Sequence, residues 1–176
     1  MGEEPRPPIG RMSGRTVISI RPARAGDLPS ILAIERVSFT DPWSHGSFAA
    51  LLEQPRVYFS VALDADTGAL LGYTVAWFVL DEAELANLAV APDARGNGIG
   101  AQLLEGALAA SDARGSATMY LEVRASNVAA IALYTSHGFA EAGRRPSYYR
   151  RPVEDALILR RVASPQRDAY AEAQQK

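Results

Sequence analysis

Asn87-Leu88-Ala89-Val90-Ala91-Pro92-Asp93-Ala94-Arg95-Gly96-Asn97-Gly98-Ile99-Gly100 is the stretch on which the reading of this chain turns. Its apolar beginning, within a segment from Glu84 to Ala91, reads as a strand, and Pro92-Asp93 opens a loop. The residues that follow predict a helix from about Gly98 to Arg114. Ile99, Leu103, Ala107 and Ala110 repeat at helical spacing, with Leu104 and Leu108 beside them. Glycines ahead of a helix let the backbone approach a phosphate, and the first-turn N–H groups then point at the anion. The helix dipole adds ~0.3–1 kcal/mol of attraction there, and Arg95 offers a cation. Taken alone the loop is also compatible with a plain glycine turn. It fits a dinucleotide fingerprint poorly, because Gly98-Ile99-Gly100 is followed by Gln102-Leu103 and no third glycine.

Downstream, Gly115 stops the helix and Ala117 to Arg124 reads as a strand. Met119, Leu121 and Val123 share one face of it; Tyr120, Glu122 and Arg124 share the other. Ser126-Asn127 caps a helix ending at Gly138, and strands are expected from Phe139 onward and from Ala156 to Val162. Upstream, Thr16 to Arg21 alternates as a strand, and Asp27 is placed to cap a helix running to about Phe39. Asp41-Pro42-Trp43-Ser44 is a turn whose Ser44 caps a short helix ending near Glu53. Val57 to Leu63 and Leu70 to Leu80 form an expected hairpin around Asp66-Thr67-Gly68. The element order is β-α-α-β-β-β-α-β-α-β-β, an α/β class with helices covering a mixed sheet. One domain is expected over residues 16–162, between an N-terminal tail at 1–15 and a polar C-terminal tail at 163–176.

Composition narrows the function. The chain has 176 residues, 48% of them hydrophobic, with a formal net charge of −2. That charge leaves no footprint for nucleic acid, and no apolar run approaches the ~20 residues that span a bilayer. The first fifteen residues lack the apolar core of a signal peptide, so a cytoplasmic protein is expected. There is no Cys, which removes thiolate metal sites and a cysteine nucleophile. His45 and His137 lie far apart in sequence without metal-ligand spacing, so no metal is expected. Oligomeric state is not legible.

With its neighbours, the quoted stretch resembles the cofactor motif of the GNAT acetyltransferase superfamily. In that family an apolar strand ends in Val-x-Pro, and a glycine loop embraces the pyrophosphate of acetyl-CoA. The similarity continues through Tyr120-Leu121-Glu122-Val123-Arg124-Ala125-Ser126-Asn127, Ala129-Ala130-Ile131-Ala132-Leu133-Tyr134 and His137-Gly138-Phe139. Phe39-Thr40-Asp41-Pro42-Trp43-Ser44 and Leu80-Asp81-Glu82-Ala83-Glu84-Leu85 share it as well. These runs are similar specifically to the ribosomal-protein-alanine N-acetyltransferase branch, and together they extend from Ser19 to Arg160.

The resemblance implies a single domain with a mixed, mostly antiparallel sheet, and direct transfer of acetyl from acetyl-CoA to the N-terminal amine, an alanine's, of a ribosomal protein. It implies that Glu122 is the general base and Tyr134 the general acid protonating the departing CoA sulfur. Read from the strand alone, Glu122 is either a desolvated base with a raised pKa or a carboxylate paired with Arg124 or another cation. Tyr134 read alone is a core aromatic with its hydroxyl at the surface. The cofactor is expected on Leu88, Ala89 and Val90, whose amides would meet the oxyanion, and on Arg95, Gly96, Asn97, Gly98, Ile99, Gly100 and Ala101. Asn127 joins them, as a helix cap that also holds the pantetheine arm. On the acceptor side Asp81, Glu82 and Glu84 are either a solvated hairpin or an attraction for a cationic peptide N-terminus. Trp43, Tyr148 and Tyr149 either frame the peptide or pack.

Two departures stand out. Where the family loop carries further cations this chain has Gly96, Asn97 and Ala101, and the connection Arg150-Arg151-Pro152-Val153-Glu154 is short. A small-molecule amine or a lysine as acceptor, or a non-catalytic acyl-CoA sensor, are the competing readings.

Overall fold

The structure is a computed structural model, and it describes residues 17–163. The expected tail at 1–15 lies outside the described residues, as do Thr16 and the C-terminal tail beyond Ala163. The elements are β1 (Ile18–Pro22), α1 (Leu28–Ser38), α2 (His45–Leu51), β2 (Val57–Asp64), β3 (Leu70–Val79), β4 (Glu82–Val90), α3 (Ile99–Ala113), β5 (Thr118–Arg124), α4 (Val128–Ser136), β6 (Ala140–Arg150) and β7 (Val153–Val162). Among the described residues no helix is long and apolar enough to cross a membrane.

All seven strands form one sheet in the order β1-β2-β3-β4-β5-β7-β6. Every pairing is antiparallel except β4 with β5, which the long crossover through α3 makes parallel. This is the single domain with a mostly antiparallel sheet and flanking helices that the resemblance implies, in the expected element order.

The two faces of the sheet bury different sets. On one face Leu28, Ile31 and Leu32 of α1 and Phe48 of α2 pack on Phe59, Val61, Tyr73, Val75 and Ala89. On the other, Leu104, Ala107 and Leu108 of α3 and Tyr134 of α4 pack on Met119, Leu121, Val123, Leu157 and Leu159. Leu103 and Leu104 are wholly buried, so truncating either to Ala costs about 2–5 kcal/mol. β5 alternates as expected, with Met119, Leu121 and Val123 buried and the intervening residues half-exposed.

Local capping differs at one end from the sequence expectation. Ser44 does cap α2, its Oγ accepting from the Ser47 N–H at 3.1 Å. Asp27 does not cap α1 in that way. A short 3-10 turn, Ala25–Asp27, precedes the helix, and the Asp27 carboxylate reaches back to the Arg24 N–H at 2.8 Å and to Arg21 at 2.7 Å. That hydrogen-bonded pairing with Arg21 holds the carboxyl below its ordinary range.

Candidate active site

A bulge in β4 opens the site. β3 and β4 pair regularly to Ala76↔Leu85 and resume at Val75↔Asn87, leaving Ala86 as the extra residue. Before the bulge Ala83 and Leu85 face α3; after it Leu88 and Val90 do, while Asn87 and Ala89 turn toward α1. A bulge bends its strand and increases twist. Accordingly β4 pairs with β5 only over Glu82↔Thr118 to Glu84↔Tyr120, and the two parallel strands then diverge.

The divergence leaves one side of β4 without a ladder. The Ala91 N–H donates to the Leu71 carbonyl, and the Asn87 carbonyl accepts from the Thr74 hydroxyl, so odd-numbered residues here present their backbone groups to β3. The N–H groups of Leu88 and Val90 therefore point into the gap, and the amide of Ala89 does not. The expected trio of amides is a pair.

Above the gap a cleft of ≈ 350 Å³ is lined by Leu88, Ala89, Val90, Arg95, Gly96, Gly98, Ile99, Gly100 and Asn127, with Ser38 and Leu133. Gly96 and Gly98 have φ of +78° and +76°, a left-handed conformation that costs other residues ~1–2 kcal/mol. A Cβ at either would meet nothing within 4 Å, so backbone conformation, not crowding, demands glycine. Gly98 is the N-cap of the fifteen-residue α3, whose first-turn amides are the anion-binding end of a helix.

Three of the expected loop residues behave differently from one another. Arg95 lines the cleft but already donates from Nε to the Val90 carbonyl at 3.0 Å and from NH2 to Ser38 Oγ at 3.3 Å. Asn97 spends its side-chain amide on the carbonyls of Ala94 and Arg95 and does not line the cleft. Ala101 does not line it either, because it is the third residue of α3, past the mouth. Asn127 caps α4, accepting from the Ala130 N–H at 3.1 Å. The cap occupies Oδ1 and leaves the amide nitrogen for a ligand, so capping and ligand binding are compatible.

A second, smaller cleft brings Leu88, Glu122, Asn127, Tyr134 and Tyr149 together at the divergence. Tyr134 is 8% exposed and packs edge-on against Phe139. Its ring is thus part of the core while the residue still lines this cleft, and burial, with a smaller effect of nearby Tyr149, pushes its pKa up to about 12. Glu122 departs from the expected apolar surroundings: its side chain is 27% exposed and pairs with Arg145 Nε at 2.7 Å. Arg124, the first partner considered, turns to Glu154 at 3.2 Å and lies 4.0 Å over the Tyr149 ring. The nearby Glu122 carboxylate pushes the Tyr148 phenol's pKa up, and Tyr148 meets Tyr149 edge-on at 5.2 Å.

Of the acidic cluster, Glu82 and Glu84 line a third cleft with Trp77, Tyr120, Glu122 and Arg145. Asp81 does not; it forms the β3–β4 turn, its carbonyl accepting from the Ala117 N–H at 2.6 Å. Trp43 packs, stacked on Trp77 at 5.7 Å and against Phe48 at 5.4 Å, and lines none of the three clefts.

Arg145, Trp77 and a buried polar group were not among the expected site residues. Glu35 is 1% exposed and is held by the Tyr73 hydroxyl, the Asn87 amide and the Trp43 N–H. Burial, followed by the bond to Glu35, raises the Tyr73 pKa. A signal was present, since Glu35 continues the apolar stripe of Leu28, Ile31 and Leu32 at helical spacing. Arg145 had none, because its approach to Glu122 depends on β6 reaching across the end of β7.

The comparisons agree with this geometry. The Acetyltransferase (GNAT) family model matches residues 28–139. The ribosomal protein bS18-alanine N-acetyltransferase of Escherichia coli (strain K12) is 44% identical over 135 residues, 76% of this chain and 89% of that protein. A putative enzyme of the same name from Bacillus subtilis (strain 168) is 37% identical over 146 residues, 82% of this chain and 95% of that one. The crystal structure of the Escherichia coli ribosomal-protein-S18-alanine N-acetyltransferase superposes with a TM-score of 0.77 at 38% identity, covering 88% of this chain and 99% of that one. With the diverging β4–β5 pair and the glycine loop at the mouth of α3 already in place, these matches identify the family: the chain belongs to the acetyltransferase (GNAT) family and is an N-acetyltransferase.

Proposed function

We propose that this chain transfers acetyl directly from acetyl-CoA to the α-amine of an N-terminal alanine, and that its acceptor is ribosomal protein bS18, the protein named for its relatives. The observation that supports the chemistry is the convergence of Glu122, Tyr134, Asn127 and Leu88 on one cleft, with the inward amide of Val90 beside it in the adjoining one.

The cofactor's charged end fits the cleft above. Gly96, Gly98 and Gly100 bring backbone to the surface, and the first turn of α3 presents N–H donors to a pyrophosphate. Positive charge is sparse, since Arg95 is already engaged with Val90 and Ser38. The amide nitrogen of Asn127 and the unladdered edge of β4 would hold the pantetheine arm. Acetyl-CoA supplies an activated thioester carbonyl.

An α-amine has a pKa of ~7.7–8.0, so near neutral pH most of it carries a proton that must leave before attack. Glu122 is the carboxylate at the acceptor side of the gap and takes that proton, directly or through one water. The N–H groups of Leu88 and Val90 stabilise the oxygen of the tetrahedral intermediate. Tyr134, kept protonated by burial, donates to the departing sulfur. No Cys is present to carry an acyl group, in keeping with direct transfer. Tyr149, with Glu82 and Glu84, borders the approach of the peptide, and Tyr148 packs edge-on against Tyr149.

The test is incubation with acetyl-CoA and peptides varied at their first residues, among them the bS18 N-terminus, followed by mass spectrometry. Acetyl on the α-amine of alanine is expected. Acetylation of lysine side chains or small amines alone would overturn the acceptor. Binding of acetyl-CoA with no product from any amine would overturn the enzyme reading.

A further inference from the structure

The proposed base is in ion-pair contact in this structure. Arg145 Nε lies 2.7 Å from Glu122 Oε1, and the carboxylate also raises the pKa of the neighbouring Tyr148 phenol. The guanidinium charge thus stands against the oxygen that would receive a proton leaving an amine. The partner comes from an irregular segment. β6 follows β7 to Arg145↔Ala156 and rejoins it at Tyr149↔Glu154, so residues 146–148 bulge opposite Asp155 alone. Ser147 sits at φ +51° and donates its N–H to Asp155 Oδ1 at 2.9 Å. Arg145 stands at the edge of this bulge, 56% exposed, with its guanidinium carbon 5.7 Å from the Tyr148 ring centre. A half-exposed ion pair of this kind contributes little and exchanges readily. The cleft around it carries three carboxylates, Glu82, Glu84 and Glu122, which remain to receive another cation when Arg145 moves.

We propose that Arg145 reserves Glu122 for amines: its guanidinium stands where the acceptor's ammonium must stand, and only an incoming cationic N-terminus displaces it. Arg145 is then a specificity-determining residue that decides which nucleophile the base meets. This rests on Glu122 being the general base. With Arg145 in place and no acceptor present, the carboxylate is charge-paired and is a poorer proton acceptor for water. With Arg145 absent, Glu122 takes a proton from water as the water oxygen bonds to the thioester carbonyl carbon. The carbon–sulfur bond then breaks, and the sulfur leaves with the proton of Tyr134, which the proton held on Glu122 replaces through solvent, giving acetate and CoA thiol.

The experiment measures CoA thiol release from acetyl-CoA without acceptor, in the full chain, for the wild type, Arg145→Gln, Arg145→Met and Arg145→Lys. Acetyl-CoA affinity and circular dichroism are recorded for each. Because a freed general base contributes well beyond tenfold, Arg145→Gln should raise acceptor-free hydrolysis on the order of tenfold. Arg145→Met, which keeps the aliphatic stem, should do the same, and Arg145→Lys, which keeps a cation, should stay near wild type. Adding Glu122→Gln to Arg145→Gln should return hydrolysis to the wild-type level. Unchanged hydrolysis in folded Gln and Met variants that bind acetyl-CoA normally overturns the proposal, as does a rise that survives in the double variant. Failure of the base assignment looks different: Glu122→Gln alone would then acetylate an alanine-starting peptide at the wild-type rate.

Discussion

Along the β4 wall of the gap, the groups assigned to acetyl-CoA are mostly backbone: the amides of Leu88 and Val90, the Gly96–Gly98 turn and the first turn of α3. Across from it, on β5 and β6, the groups proposed to meet the acceptor are side chains: Glu122, Arg145, Tyr148 and Tyr149. The first wall is low in charge and set by local conformation. The second is a network of ions and phenols whose members come from two strands that are not paired with each other.

Changes on each wall should separate binding from chemistry. Glu122→Gln should lower kcat by about 10²–10⁴-fold, the usual contribution of a general base, with acetyl-CoA affinity unchanged by calorimetry. Weakened cofactor binding in that variant would erase the distinction between the walls. Tyr134→Phe should lower kcat on the order of tenfold or more through loss of the proton donor, again with little change in affinity. Equal turnover would return Tyr134 to the core. Since burial raises its pKa to about 12, the kcat–pH profile should show no alkaline fall due to Tyr134 below that value. The linked stability runs the same way: with the folded pKa above the unfolded ~10, that contribution is complete below ~10 and lost as pH rises through about 12.

The cofactor wall should respond in the opposite sense. Gly98→Ala imposes ~1–2 kcal/mol of left-handed strain at the cap of α3. Acetyl-CoA affinity should therefore weaken by roughly 5–30-fold while kcat at saturation is preserved. Arg95→Ala should have the smallest effect. Its guanidinium is exposed and shared with Val90 and Ser38, so the acetyl-CoA KM should rise only by about twofold to fivefold, the scale of an exposed charge. That rise should shrink with added salt. A hundredfold loss would show that one cation, not the amides, dominates the cradle.

Much of the first wall was legible. Apolar alternation ending at Pro92, then Gly96 and Gly98, then the stripe from Ile99 to Ala110 specify a strand, a left-handed turn and an amphipathic helix from local rules. Asn127 was legible as a cap because Asn at that position has few other local uses. Trp43 was ambiguous: an aromatic after Pro42 can frame a ligand or fill a core, and only its stacking on Trp77 decides. Asp27 pointed to a forward cap, yet Arg21, one strand earlier, drew its carboxylate backward.

By itself the sequence determined the element order, the glycine loop and the placement of Glu122 and Tyr134 on the strand and helix that follow it. Those features depend on residues within a few positions of one another, through strand alternation, helix periodicity and turn conformation. Only the tertiary structure decided that Ala86 bulges and parts β4 from β5, that the amide of Ala89 turns away while those of Leu88 and Val90 face the gap, and that Arg145 closes on Glu122. Each of these depends on register between separate strands. A shift of one residue reverses which way a backbone or side chain points, and no local pattern records it.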